Sequence, residues 1–415
     1  MDLTIHNALH DRTLTPVNVG IKSGKIRLVS ESGIQPGKQA IDAKGAMISP
    51  ALIEPHFHLE NSVLPEFINH SGTLGEAIKV YKKVKDKLEP DDIMRRSAIS
   101  LKEALINGTL WLRTHTDVDE TTQLDLLKPI LDVREQFRNF IDIEVVAFPQ
   151  FGLADNPESV DLIWQAMDAG ADHVGGVPHR EKDMDKAARQ IELAFEIAVA
   201  HDAGIDMHVD ETDDPYWHTL ELLAEKTIDE GYQKRVTAGH CCAMSAWSEK
   251  LFQRILPKIV EADITICTNT PVNLLIQGRG DNHPVRRGIA RIKDLLEAGV
   301  NVTCGQDDMQ NMFYPFGSMD GFAIANYVAH TAHLSSPTEI QAAFDMPRYN
   351  AARMLGLRNY GIEEGSDANI IIFQANSAVD ALRKHSDRMY VIRQGEILVE
   401  SERRIRMSPE LPFDA

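Results

Sequence analysis

His56-Phe57-His58 ends the first of eight short apolar segments spread along the chain, most of them separated by stretches with helical spacing. Side chains alternate across a strand, so two histidines two positions apart leave the same face and can reach one point. The other segments end near Asp117, Gln150, Val177, Glu211, His240, Asn269 and Asp307. One intervening helix begins after Pro90, with Asp91 read as its N-cap. It keeps Met94, Ala98, Leu101 and Leu105 at a three-to-four spacing and stops at Gly108. Another runs roughly from Lys186 to Gly204, with Ile191, Ala194, Phe195 and Ala198 on one face. Eight strand–helix units predict an α/β chain closed into a (β/α)8 TIM-type barrel rather than an open doubly wound sheet.

Outside this alternation the texture changes. Asp2-Leu3-Thr4-Ile5-His6 and Val17-Asn18-Val19-Gly20-Ile21 alternate like strands, and Ser23-Gly24 turns into Lys25-Ile26-Arg27-Leu28-Val29. Ala368-Asn369-Ile370-Ile371-Ile372-Phe373 and Met389-Tyr390-Val391-Ile392 repeat the pattern near the other end. The expected organisation is a small β-sandwich domain built from residues 1–50 and 360–415, flanking a barrel over 51–359.

Composition narrows the function classes. The 415 residues are 43% hydrophobic and 25% charged, an ordinary globular balance. A net charge of −19 argues against phosphate backbones and anionic membranes as partners, while leaving a small neutral ligand unaffected. The N-terminal Met-Asp-Leu-Thr-Ile-His lacks a basic stretch and an apolar core, and no apolar run reaches the ~20 residues of a membrane span. Cys241, Cys242, Cys267 and Cys304 form neither a disulfide framework nor a CxxC pair, which fits a reducing cytoplasm. No dinucleotide or P-loop glycine motif is present.

In such a barrel, chemistry sits at the C-terminal ends of the strands. Strand one supplies His56 and His58, strand five His208 (in His208-Val209-Asp210-Glu211), strand six His240, and strand eight Asp307 followed by Asp308. Four nitrogen and oxygen donors from strands one, five and eight can therefore converge on one divalent ion, with His240 nearby. Each piece has a plainer reading: a lone barrel histidine is usually a satisfied polar residue, and an Asp pair is usually a turn or a helix N-cap. It is the conjunction, each residue at the proper end of the proper strand, that points to a hydrolytic site.

This arrangement resembles the amidohydrolase superfamily, and within it the bacterial cytosine deaminases. The resemblance is carried by Glu54-Pro55-His56-Phe57-His58-Leu59, Ser71-Gly72-Thr73-Leu74, Arg113-Thr114-His115-Thr116-Asp117-Val118 and Val146-Ala147-Phe148-Pro149-Gln150. It continues through Val236-Thr237-Ala238-Gly239-His240, Pro271-Val272-Asn273-Leu274, Gln277-Gly278-Arg279, Arg286-Arg287-Gly288-Ile289 and Gly305-Gln306-Asp307-Asp308. It implies that His56, His58, His208 and Asp307 hold one divalent ion, Fe²⁺ or Zn²⁺. Strand four ends without a lysine, so a bridging two-metal centre is not expected. The resemblance further assigns proton handling to Asp307 and Glu211, orientation of the attacking hydroxide to His240, and substrate contacts to Gln150, Asp308, Leu74 and Phe313. His115 and Asp117 would orient the ligands, Asn61 would face the mouth, and a homo-oligomer is implied.

Two positions depart from the pattern. Glu60 stands where the deaminases usually carry Asp, which would change contacts at the pocket mouth. Phe313 stands where they usually carry Trp, and the smaller ring would leave room for a methyl group on the base. The expected reaction is hydrolysis of cytosine to uracil and ammonia, and of 5-methylcytosine to thymine. Other amino-heterocycles (isocytosine, creatinine, a triazine) form the competing class, and a metal-free scaffold protein is the remote one. His173, His179, His330 and His333 read as ordinary helix or loop histidines.

Overall fold

A computed structural model describes residues 1–408. Strands β1 (Leu3–His10), β2 (Pro16–Lys22), β3 (Lys25–Ser30), β4 (Gln39–Asp42) and β5 (Met47–Pro50) open the chain. β1 pairs antiparallel with β2 and parallel with β4 and β5.

A parallel sheet follows: β6 (Leu52–Phe57), β7 (Thr109–Asp117), β8 (Asp142–Phe148), β9 (His173–Val174), β10 (Gly204–Val209), β11 (Val236–His240), β12 (Thr265–Thr268) and β13 (Val302–Cys304). Neighbours in sequence are neighbours in the sheet. The circle closes at the ends of β6 and β13, where Phe57 and Asp307 form a parallel bridge. There the Asp307 N–H donates to the His56 carbonyl at 2.8 Å, and the His58 N–H donates to the Asp307 carbonyl at 3.1 Å. Three of the expected ion-binding residues thus sit on the seam that turns the sheet into a barrel.

Helices fill the crossovers. The Pro90–Ile106 helix is preceded by Glu89 as its cap residue, not by Asp91 as expected, and no side chain closes the end. Proline is pre-shaped for the first helical position and lacks an N–H to satisfy, so the helix starts two residues early. Asp91 and Asp92 then lie in the first turn, favourably placed in the helix dipole, and Asp92 pairs with Arg96 at 2.7 Å. The fifth-strand crossover helix is Met184–Ala200, capped by Asp183, whose carboxylate accepts from the Lys186 N–H.

The chain returns to the first sheet through β14 (Ile370–Phe373), β15 (Arg388–Arg393) and β16 (Glu396–Glu400). β14 pairs antiparallel with β5, joining the two ends of the chain in one mixed sheet. Alternation along β14 divides its buried side chains. Ile370 and Ile372 join the core of the terminal sheet with Leu3, Ile5, Val19 and Ile48, whereas Ile371 and Phe373 join the barrel's core. Each such side chain is worth about 1.5–3 kcal/mol when buried. The four cysteines are buried and unpaired, and no helix among the described residues is long and apolar enough to cross a membrane.

Candidate active site

The strand ends bring four donors together. His56 Nε2 lies 3.3 Å and His58 Nε2 lies 3.1 Å from His208 Nε2. Asp307 Oδ1 is 3.5 Å from His56 Nε2 and 3.4 Å from His58 Nε2. All four side chains are buried, and Asp307 holds a left-handed φ of 67°, a backbone cost typical of a functional strand end. Ligands about 2.1 Å from a tetrahedral ion stand about 3.4 Å from one another. The observed spacing fits that arrangement, and its chemistry, three imidazoles and a carboxylate, suits Zn²⁺ or Fe²⁺. Burial opposes ionisation of Asp307, but His240, His56 and His58 outweigh it and hold the carboxyl well below the usual range.

A buried polar scaffold supports these donors. Arg113 on β7 donates to Asp206 on β10 at 2.8 Å and to Glu144 on β8, and Asp206 also meets His115 Nε2 at 3.2 Å. Glu54 on β6 accepts from the backbone N–H groups of His56 and Gln306, both at 3.0 Å, fastening the first strand to the last. Burial pushes its carboxyl up to about 8. Asp206, Glu54 and Arg113 were not singled out from the sequence as site residues; their signals were an inward register, Asp206 lying two residues before His208, and for Glu54 and Arg113 a place in the motifs that carry the resemblance.

Three expectations need correction. Asp117 does not turn toward the donors: it pairs with buried Lys85 at 3.0 Å, as does Asp119. Glu60 is not at the pocket mouth but buried, 3.8 Å from His58 Nδ1, because its longer side chain folds back toward that ring. His173 is not a helix or loop histidine: it lies on β9 and meets Glu144 at 3.1 Å, whereas His179 lies in the short helix Pro178–Arg180, buried beside the His208 backbone.

Above the donors lies a tight cavity of about 20 Å³ lined by His58, Asn61, Leu74, Gln150, His208, Glu211, His240, Ile276, Asp307, Asp308 and Phe313. The substrate contacts named from the sequence are therefore brought to one place, and Ile276 is added to them. His56 sits beneath, its ring 4.6 Å from that of His208. A wider groove of about 750 Å³ beside His330, His333 and His385 contains none of these residues. Volume is a poorer guide here than chemistry.

Within the cavity, His240 is clamped by two amides, Asn273 Nδ2 at 3.0 Å and Asn269 Nδ2 at 3.2 Å. Asn269 was visible only as the end of strand seven. Glu211 Oε1 stands 3.5 Å from His240 Nδ1. Burial, with the Asp307 and Asp308 charges, raises the Glu211 carboxyl well above its ordinary value. Burial and Asp307 likewise push Asp308 up to about 7. Asp308 caps no helix, the next one starting at Gly321 with Asp320 as its cap; it accepts instead from Asn311 Nδ2 at 2.6 Å. Leu74 opens the Leu74–Lys82 helix behind the Thr73 cap, and Phe313 meets Tyr81 edge to face. The arrangement can activate a water at one point and hold protonated carboxyls beside it, which is the equipment for hydrolysis at an unsaturated carbon.

The amidohydrolase family model matches residues 39–399. A curated relative, N-isopropylammelide isopropyl amidohydrolase of Pseudomonas sp. strain ADP, is 30% identical over 97% of this chain and 98% of its own length. Pterin deaminase of Rhizobium rhizogenes is 28% identical over 94% of this chain and 89% of its own. Among solved structures, 5-methylcytosine deaminase from Klebsiella pneumoniae liganded with phosphonocytosine superposes with a TM-score of 0.94. Its identity is 31%, with 98% of this chain and 100% of that chain covered.

Proposed function

This chain belongs to the amidohydrolase family of hydrolytic enzymes, and from that premise we propose that it deaminates a free pyrimidine base. The bases are cytosine, giving uracil and ammonia, and 5-methylcytosine, giving thymine and ammonia. The observation that carries the reading is the small cavity in which Gln150, Asp308, Glu211 and Phe313 surround the histidine–aspartate cluster. The likeness to the Klebsiella enzyme along nearly the whole chain supports it.

His56, His58, His208 and Asp307 hold one divalent ion, Fe²⁺ or Zn²⁺, in this reading. When bound, such an ion supplies a water acidified toward neutral pH. Asp307 would take a proton from the attacking water, and His240, fixed by Asn269 and Asn273, would orient that water toward the amine-bearing ring carbon. Glu211 gives a proton to the adjacent ring nitrogen. The proton held by Asp307 would then pass to the exocyclic amine, which leaves as ammonia as its carbon–nitrogen bond breaks, and the new hydroxyl would return a proton to Glu211 as the ring regains its conjugation in the oxo form. Asp308 accepts a hydrogen bond from the departing amine. The Gln150 amide, donor and acceptor at once, matches the neighbouring carbonyl and N–H of the base edge.

The test is ammonia release from cytosine and 5-methylcytosine, and isopropylamine release from N-isopropylammelide, by protein loaded with Fe²⁺ or Zn²⁺. The Pseudomonas relative makes the last compound the comparison substrate. Turnover of the pyrimidines, and its loss by about 10²–10⁴-fold in a Glu211→Gln variant that retains its ion, is the expected result. Ion-loaded protein that releases ammonia from neither pyrimidine would overturn the reading.

A further inference from the structure

The motifs Ser71-Gly72-Thr73-Leu74, Gln277-Gly278-Arg279 and Arg286-Arg287-Gly288 have no part in the chemistry, yet the fold brings them together beside the pocket. The loop 277–288 follows Ile276, a pocket wall. Its own shape is set by Arg286, which donates to Asp281 through Nε at 2.8 Å and Nη2 at 2.7 Å. Gly278 and Gly288 have φ of 69° and 62°, and a Cβ on either would strike the loop's own atoms, the Arg286 carbonyl at 2.5 Å and the Gln277 Cβ at 2.1 Å. Only glycine allows this close folding.

The loop is fastened on two sides. The Gly278 N–H donates to Asp213 Oδ2 at 2.7 Å, and Arg286 Nη1 donates to the Asp213 carbonyl. On the other side the Arg279 guanidinium lies against Gly72, where a Cβ would meet Nη2 at 2.7 Å. Asp213 is two residues beyond Glu211, and Gly72 is two residues before Leu74, both of which line the cavity. The loop is a bracket joining the segment that carries the proton donor to the segment that carries a pocket wall.

We propose that Asp213 is a positioning residue: by clasping the 277–288 loop it couples closure of the pocket to the placement of Glu211. The inference rests on the deaminase reading for the role of Glu211. Without the clasp, the loop and the Thr212–Asp214 turn separate, the base is held less well, and Glu211 no longer meets the ring nitrogen.

The test uses the full-length, ion-loaded protein. Asp213→Ala should lower kcat about 10–100-fold when Glu211 is present, but less than about threefold in a Glu211→Gln background, since residues acting as a unit are non-additive. Asp213→Asn keeps an oxygen that can accept from the Gly278 N–H and should stay within about threefold of the starting enzyme. Trypsin reads the loop independently of activity. Arg279 and Arg287 are exposed, and cleavage after them should rise about 10–100-fold in Asp213→Ala as the loop opens. If Asp213→Ala does not fold, Arg286→Met cuts the same bracket from the loop side and should give the same pattern. Equal kcat losses in the two backgrounds, or unchanged cleavage, would overturn the clasp. If the starting enzyme hydrolyses neither pyrimidine, the substrate reading fails and the cleavage rates alone decide whether the bracket exists.

Discussion

The imidazole of His115 stacks against that of His56, with ring centroids 4.0 Å apart and planes tilted by 33°. His115 is in turn held by Asp206, and Asp206 by Arg113. A side chain on β7 and one on β10 therefore set the attitude of a donor on β6. Partners of this kind fix ring orientation, and losing one typically costs about 10–100-fold in metal affinity.

Asp206→Asn should accordingly weaken ion binding by about 10–100-fold while leaving the four donors in place. It also leaves Arg113 with Glu144 as its remaining carboxylate, so a fall in melting temperature is expected alongside. Competition against a chelating dye measures the first effect and thermal denaturation the second. Unchanged ion affinity with lowered stability would show that the network only holds the barrel together.

Phe313→Trp should narrow the pocket. The ring is buried against Tyr81 and borders the cavity, so added bulk is pushed into the small cavity. Overpacking costs about 1–3 kcal/mol, which predicts a loss of about 5–150-fold in kcat/KM for 5-methylcytosine relative to cytosine. Steady-state kinetics with the two bases checks it. An unchanged ratio would place the methyl group elsewhere in the pocket.

How far these features are legible in the sequence depends on how local their causes are. His56 and His58 are readable because a strand's period of two is a property of the chain itself, and the helix periodicity between strands exposes the barrel. Even β9, reduced to His173–Val174, lies just before the expected end at Val177. The partner of Asp117 was not readable: Lys85 is 32 positions away, on a short turn whose path over the barrel no local pattern encodes. The same holds for the Arg113–Asp206 pair, 93 positions apart. Glu60 was misplaced because its length predicted reach but not direction.

Removing the ion should abolish turnover and lower stability together. An ion that binds only the folded chain stabilises it by about 2.7 kcal/mol when its free concentration is 100 times Kd. Dialysis against chelator should therefore lower Tm, and returning Fe²⁺ or Zn²⁺ should restore both Tm and activity at one ion per chain. His208→Ala, which removes the donor nearest to both His56 and His58, should show no Tm response to added ion. A response equal to that of the starting protein would put the ion at another site.

Lys85, just after the Leu74–Lys82 helix, joins that segment to the barrel through Asp117 and Asp119 and lies 4.4 Å from the centre of the Phe151 ring. Breaking a buried pair by deleting one partner typically costs about 3–5 kcal/mol, so Lys85→Met should be strongly destabilised. The loss should also depend on pH. Burial, aided by the Asp119 charge and only partly offset by Lys85, puts the Asp117 carboxyl at about 7, above the ordinary 3.8. A carboxyl with a raised folded value contributes fully below its unfolded value and loses that contribution as pH rises through the folded one. Deleting the cation raises Asp117 further, so the stability gap between Lys85→Met and the starting protein should stay level to about pH 6 and widen from near pH 7 upward. Denaturant unfolding at about pH 5 and about pH 8 measures the gap, which grows by up to about 1.4 kcal/mol per pH unit where Asp117 is protonated in folded Lys85→Met and ionised in the folded starting protein. A gap that is constant across that range would mean that Asp117 stays ionised without its lysine, held by groups other than Lys85.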